Sequence, residues 1–173
     1  TYTEADGEAK TLTVMLEEGV TWVQVELYYT IFGRGGVLAR SVRISNGGAQ
    51  SVRLSRAMSL CLDLPDREYV WQQLSGCWAR ECHIRTRNLE PGITAIGSMR
   101  GNSSHEHNHF VVLRRPNADE RQGEVIGISL VYSGNFRLQA EVDAHDTLRL
   151  LAGIDPETFE WKLESGEFFQ TPE

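Results

Sequence analysis

Apolar and polar side chains alternate along most of this chain, and this alternation is the feature that most limits how it can fold. Leu12, Val14 and Leu16 occupy every second position of the first run. The same period of two recurs over residues 23–31, 52–62, 136–142 and 148–152. In a β-strand this pattern places one row of side chains on a core and the other toward solvent. Each run is therefore predicted to be one strand with its apolar row buried.

Turn-forming residues separate these runs at short intervals. The chain contains 16 glycines, and residues 46–48 and 133–135 suit tight turns because Gly and Asn accept positive φ angles. No stretch of about 12 residues has the i, i+3, i+4, i+7 apolar spacing of an amphipathic helix. The sequence therefore predicts an all-β sandwich or barrel of about a dozen antiparallel strands, with no long helix. No repeat or linker divides the chain, so residues 1–173 are predicted to form a single β-sandwich domain.

Charge and composition exclude several classes of function. The formal net charge is −7, which argues against a nucleic-acid binder and against attachment to an anionic membrane surface, since both need a basic face. No apolar run approaches the length of a transmembrane helix. Three cysteines, Cys61, Cys77 and Cys82, do not make a secreted disulfide framework. We therefore expect free thiols and, with no signal peptide visible, a cytoplasmic protein.

Residues 103–109 are the most chemically dense segment. On a strand, His105, His107 and His109 would share one face. Imidazoles in this spacing can bind zinc, with Glu106 as a base or as a group that orients a ligand. The alternative is that they are hydrogen-bonding groups in a loop or at an interface. Because no second Cys or His pair completes a four-ligand set, we expect no metal site here.

Residues 77–83 form a second candidate site. If this segment is a strand, Trp78 and Arg80 lie on the same face, two positions apart. An aromatic ring beside a guanidinium group suits a sugar or a planar anion. Ordinary packing against a neighbouring strand is the alternative. The sequence contains no nucleophile elbow, phosphate-binding loop or recognisable pair of catalytic carboxylates, so we predict no catalytic residue in it.

Five strings of the sequence resemble one protein family in their order and spacing. They are VLARSVRISNGG (37–48), LSGCWARE (74–81), RGNSSHEHN (100–108), VYSGNF (131–136), and WKLE with FQTPE (161–164 and 169–173). Together they are similar to the N-terminal β-supersandwich domain of glycoside hydrolase family 36 α-galactosidases, over nearly the whole chain. The resemblance implies an antiparallel β-supersandwich of the galactose mutarotase-like type.

The same resemblance implies a fragment of a larger enzyme. The family hydrolyses terminal α-galactosyl groups of oligosaccharides such as melibiose and raffinose, with retention of configuration. Its catalytic carboxylates lie in a (β/α)8 barrel, which would follow Glu173, and further sandwich strands would precede Thr1. The implied partners are this barrel, other subunits of a homotetramer and a galacto-oligosaccharide, and no cofactor is implied.

The resemblance also suggests roles for particular residues. Trp78 and Arg80 are the candidate substrate-binding residues, and His105 and Asn108 are expected at an interdomain contact or at the rim of the active site. One departure is His109, where the family has a proline, and this change frees a backbone donor and relaxes the turn. Two other readings stay open: a stand-alone carbohydrate-binding β-sandwich, and a mutarotase-like epimerase with His and Glu as acid and base.

Overall fold

The structure is all-β, as the alternation predicts. A computed structural model of the chain describes residues 9–33, 35–103 and 106–173. Within these ranges there are fourteen strands and no helix, and so none that could cross a membrane. The strands are β1 (Ala9–Glu17), β2 (Val23–Phe32), β3 (Leu38–Asn46), β4 (Val52–Leu54), β5 (Met58–Leu64), β6 (Val70–Cys77), β7 (Arg80–Asn88), β8 (Gly92–Ser98), β9 (His107–Arg114), β10 (Val125–Ser129), β11 (Phe136–Val142), β12 (Leu148–Ile154), β13 (Trp161–Leu163) and β14 (Phe168–Gln170).

The strands form three four-stranded sheets and one two-stranded ribbon. Sheet A has the order β1-β2-β3-β14, sheet B the order β5-β12-β11-β8, and sheet C the order β10-β9-β6-β7. The ribbon pairs β13 with β4. Every pairing is antiparallel, and the pairs of successive strands need only short connections.

The main core lies between sheets B and C. Sheet C contributes Trp71 and Leu113, and sheet B contributes Phe136, Leu138 and Leu150, all essentially inaccessible to solvent. These residues sit at alternate positions of their strands, so the period-two pattern is confirmed here as one buried row on each sheet. This sandwich supports the loops and strand ends that carry the polar residues of interest.

One predicted strand is divided in two. Residues 52–62 were expected to form a single strand, but β4 pairs with β13 in the ribbon and β5 pairs with β12 in sheet B. The prediction was wrong because Leu54 and Met58 are an even number of residues apart. The apolar positions therefore keep the same parity across the irregular residues 55–57, and the alternation hides the break.

A second expectation fails on sheet A. Leu12, Leu16, Ile31 and Leu38 point to one face, as the pairings of Ile31 with Leu38 and of Leu12 with Tyr29 require, yet each is more than half exposed. Alternation predicted a buried row, but burial also requires a second layer over that row. We call these four leucine and isoleucine side chains the open face of sheet A.

Sheet A is covered in part where it meets sheet B. Val42 on β3 is buried, and Arg40 donates from Nη1 to the carbonyl oxygen of Cys61 on β5 at 2.7 Å. The strands β1 and β2 lie beyond this contact, which explains why their apolar row remains accessible.

All three cysteines have free thiols, as expected.

Tyr69 should titrate at unusually high pH. Burial and the hydrogen bond that its hydroxyl donates to Glu124 raise the pKa of Tyr69 to about 12, against about 10 for an unperturbed tyrosine. The pKa of Tyr69 is higher in the folded state than in the unfolded state. The neutral phenol therefore stabilises the fold fully below about pH 10, and this contribution is lost as the pH rises toward the folded-state pKa. An ultraviolet titration should show a late phenolate component that Tyr69→Phe removes. Titration of every tyrosine near its ordinary value would contradict this.

Candidate functional site

The tip of the β6–β7 hairpin presents Trp78 to solvent. Trp78 and Ala79 form the turn itself, and Ala79 has a φ of 61°. The expectation that Trp78 and Arg80 share a strand face is therefore wrong, because only Arg80 belongs to a strand. A two-residue turn reverses the chain at this point, and the period of two does not extend through it.

Glycine is required at the base of this hairpin. A Cβ atom on Gly76 would lie 2.1 Å from the carbonyl oxygen of Arg80, so only a residue without a side chain permits this approach. The register of β6 and β7 shifts here, between Ser75 and Cys77. At the tip, the backbone N–H of Ala79 donates to the Glu81 carboxylate at 2.9 Å. The hairpin tip is therefore shaped by local contacts that leave the indole uncovered.

The exposure of Trp78 bears on the packing alternative for this residue. Its exposed fraction is 87%, so it does not pack against a neighbouring strand within this chain. Arg80 is exposed as well. An exposed indole offers a broad apolar face and an N–H donor, and tryptophan is enriched at interfaces for this reason.

The histidine segment is only partly as predicted. His105 lies outside the described residues. His107 and His109 stand at alternate positions of β9, and their rings make different contacts: His107 Nδ1 is 3.0 Å from Ser75 Oγ, while the His109 ring packs edge-on against Phe136. No group of three potential metal ligands occurs among the residues that the structure describes.

Asn108 lies on β9 next to the base of the hairpin. Its side-chain amide donates weakly to the sulfur of Cys82 at 3.8 Å, and the N–H of Gly76 donates to the carbonyl oxygen of Glu106 at 3.1 Å. The segment 77–83 and the described residues 106–109 of the histidine segment therefore meet at one corner of sheet C.

A polar pocket of about 360 Å³ opens beside this corner. Its charged and ionisable lining residues are Arg100, Glu106, His107, Arg137 and Asp155, which we call the polar pocket residues. Arg100 pairs with Glu106 at 3.1 Å. Asp155 is the most enclosed of the five, with a side chain only 3% exposed.

Sequence reasoning missed three of these five residues. Arg100, Arg137 and Asp155 are far apart in the chain, and they converge because β8 and β12 both pair with β11. Asp155 directly follows a strand, where aspartate is common, and it was not among the residues predicted to form a site. Its position directly after the apolar strand β12 was a signal in the sequence, because it places a carboxylate at the end of a buried sheet.

His107 is held by a chain of hydrogen bonds from the core. Trp71 Nε1 donates to Gln73 Oε1 at 2.9 Å, and Gln73 Nε2 donates to Ser75 Oγ at 2.7 Å. Arg87 also donates to Gln73 Oε1, at 2.7 Å, which fixes the orientation of the amide. Because Ser75 Oγ accepts from Gln73, its own proton is available to His107 Nδ1.

Comparison with known proteins identifies the family. The model of the glycosyl hydrolase family 36 N-terminal domain matches residues 1–164. The chain belongs to glycosyl hydrolase family 36. This confirms the resemblance and assigns the three sheets to the N-terminal domain of that family.

Family 36 members from bacteria are closely similar to this chain. Alpha-galactosidase AgaA of Geobacillus stearothermophilus is 46% identical over 173 residues, covering 100% of this chain and 24% of the relative. Alpha-galactosidase Mel36A of Lactobacillus acidophilus is 37% identical over 172 residues, covering 99% of this chain and 24% of the relative. This family 36 domain therefore spans about a quarter of the length of the curated relatives that it matches.

Solved structures of family 36 agree with the fold. The crystal structure of AgaA superposes with a TM-score of 0.96 at 46% identity, over 99% of this chain and 24% of that one. The galactosidase domain of the alpha-galactosidase–sucrose kinase AgaSK superposes with a TM-score of 0.91 at 38% identity, over 95% and 23% of the two chains. The antiparallel β-supersandwich is thus confirmed.

Proposed function

We propose that this domain belongs to a retaining α-galactosidase that removes terminal α-galactosyl groups from oligosaccharides such as melibiose and raffinose. The observation that supports this most strongly is the 46% identity to alpha-galactosidase AgaA over the full length of this chain. Variants of AgaA have been crystallised in complex with raffinose and with stachyose. Those ligands are the substrate class that the proposal assigns to the longer protein.

The domain itself has a non-catalytic role in this proposal. Retaining glycosidases need two carboxyl groups about 5–5.5 Å apart, one as nucleophile and one as acid and base. In the polar pocket, Glu106 pairs with Arg100, and the buried Asp155 lies near Arg137. The catalytic pair is assigned to the rest of the longer polypeptide.

Hydrolysis of p-nitrophenyl α-galactoside tests this assignment. We expect the full-length protein to release nitrophenol and residues 1–173 alone to release none, because no glycosyl-enzyme can form without the carboxylate pair. A full-length protein inactive on this substrate and on raffinose would refute the proposal. Activity that stays with residues 1–173 through successive columns would refute the non-catalytic role.

The hairpin tip is proposed to contribute to the rim of the sugar-binding site. Trp78 offers an indole face and Arg80 a guanidinium group, and both are accessible. Asn108 and His105 are assigned to the adjoining contact between this domain and the barrel. Kinetics of the Trp78→Ala variant test this assignment.

The open face of sheet A is proposed to be covered in the longer protein. Leu12, Leu16, Ile31 and Leu38 present an apolar surface, which would favour association if left in water. Further sandwich strands or the barrel are the proposed cover, and the assembly is proposed to be a homotetramer. Slower hydrogen exchange over 12–31 in the full-length protein than in residues 1–173 supports the cover, and equal exchange contradicts it. Light scattering of the full-length protein measures its mass in solution, and this mass tests whether the assembly is a homotetramer.

A further inference from the structure

We propose that the polar pocket binds one neutral hexopyranose unit, at a site separate from the hairpin tip. The pocket has a volume of about 360 Å³, which lies near the lower end of the range for small-ligand sites. That size suits a single sugar ring better than an oligosaccharide. The inference depends on the residues of this pocket and stands whether or not the longer protein hydrolyses α-galactosides.

The charge balance of the pocket favours a neutral ligand. Two cationic side chains, Arg100 and Arg137, are matched by two carboxylates, Glu106 and Asp155. Arg100 already pairs with Glu106 at 3.1 Å, and Arg137 pairs with Glu157 at 3.1 Å. An anion would have to compete with carboxylates that are already in place. Hydroxyl groups both donate and accept, so a polyol can use the acceptors and donors together.

Asp155 is the strongest acceptor in the pocket. Its side chain is 3% exposed, Oδ2 accepts a hydrogen bond from Thr158 at 3.2 Å, and Oδ1 lies 4.0 Å from Arg137 Nε. Burying a carboxylate is costly unless hydrogen bonds compensate, and a carboxylate has about four acceptor positions. These contacts leave an acceptor position on the carboxylate for a sugar hydroxyl in the pocket that Asp155 lines.

His107 supplies a fixed donor. In the chain through Trp71, Gln73 and Ser75, the Ser75 hydroxyl can donate to Nδ1 of His107, and the tautomer that accepts this bond has its N–H at Nε2. Because this chain begins at a fully buried tryptophan, the imidazole is oriented before any ligand arrives. A donor that is already oriented costs less entropy on binding.

Part of the remaining wall of the pocket is apolar. Ala95, Ile96 and Met99 line it beside the charged residues. A hexopyranose presents C–H groups on its ring as well as hydroxyls at its edge, so it can contact both kinds of wall. A small inorganic ion would leave the apolar wall in water.

The test uses the full-length protein with D-galactose as the probe and hydrogen exchange read by mass spectrometry. Binding is expected to slow exchange over residues 95–99 and 136–139, a region that this readout separates from the catalytic barrel. In the Arg137→Gln and Arg100→Gln variants, the galactose concentration needed for the same protection should rise about tenfold or more. The reason is that each substitution removes a charged hydrogen-bond donor. Arg53→Gln is the matched control, since Arg53 makes a similar exposed pair with Glu160 at 3.5 Å.

Each outcome bears on the proposal. The proposal is supported if Arg100→Gln and Arg137→Gln reduce the protection and Arg53→Gln leaves it unchanged. No protection in wild type, or protection by inorganic phosphate and not by galactose, overturns it. If Arg137→Gln unfolds because Asp155 loses its nearest cation, Arg100→Gln decides, since Arg100 is largely exposed. Unaltered protection in Arg100→Gln would then overturn the site as described.

Discussion

Trp71→Ala is expected to lower the free energy of unfolding of this domain by about 3–5 kcal/mol. Trp71 is completely buried between sheets B and C, and its indole N–H donates to Gln73 at 2.9 Å. The substitution removes a large apolar surface, leaves a cavity and takes away one partner of a buried amide. Native-state hydrogen exchange of the β6 and β9 amides in the full-length protein measures this loss for the domain alone.

Trp71→Phe is the matched control for this substitution. Phenylalanine keeps most of the apolar volume and removes only the hydrogen bond to Gln73, so a smaller loss of about 1–3 kcal/mol is expected. If Trp71→Ala left the exchange rates of both strands unchanged, the core position of this residue would be contradicted. If Trp71→Phe were as damaging as Trp71→Ala, the hydrogen-bond chain rather than packing would dominate.

Trp78→Ala is expected to lower activity and to leave stability unchanged. In the full-length protein, kcat/KM for raffinose should fall about tenfold to a hundredfold, equivalent to about 1–3 kcal/mol of transition-state binding. The reason is that an indole stacked on a sugar buries apolar area, which contributes about 25 cal/mol per Å². The melting temperature should not change, because the side chain is 87% exposed in this chain.

Trp78→Phe provides the comparison, because it keeps an aromatic ring and should retain part of the lost activity. Kinetics and thermal unfolding of the same preparations separate the possible roles. A variant that melts several degrees lower but has normal kcat/KM would mean that Trp78 packs against another part of the longer protein. The assignment of the hairpin tip to the sugar-binding rim would then fail.

Trp71 and Trp78 illustrate how far sequence reasoning reaches. They lie seven residues apart in the same hairpin, and local sequence did not separate them, since ordinary packing was the alternative considered for Trp78. The structure places Trp71 in a strand that sheet B covers and Trp78 in a turn that nothing in the described chain covers. Exposure follows from which layers lie over a residue, and that is a property of the assembled fold.

The same distinction explains the candidate site. Residues 77–83 and 103–109 stood out from the sequence because each concentrates unusual chemistry in a short segment. Their meeting at one corner of sheet C depends on the pairing of β6 with both β7 and β9. Arg137 carried no such local signal, because it stands alone in its strand and comes close to Asp155 only through the pairing of β11 with β12.

Strand class and turn positions could be predicted from the sequence because they arise from local properties, namely side-chain alternation and backbone φ preferences. The five family strings added the family and its β-supersandwich. The tertiary structure alone decided that Leu12 and Ile31 would stay exposed, that 52–62 would divide between two sheets, and that a polar pocket would form around Asp155. These outcomes depend on contacts between residues distant in sequence, and a pattern of period two contains no information about which sheet covers which.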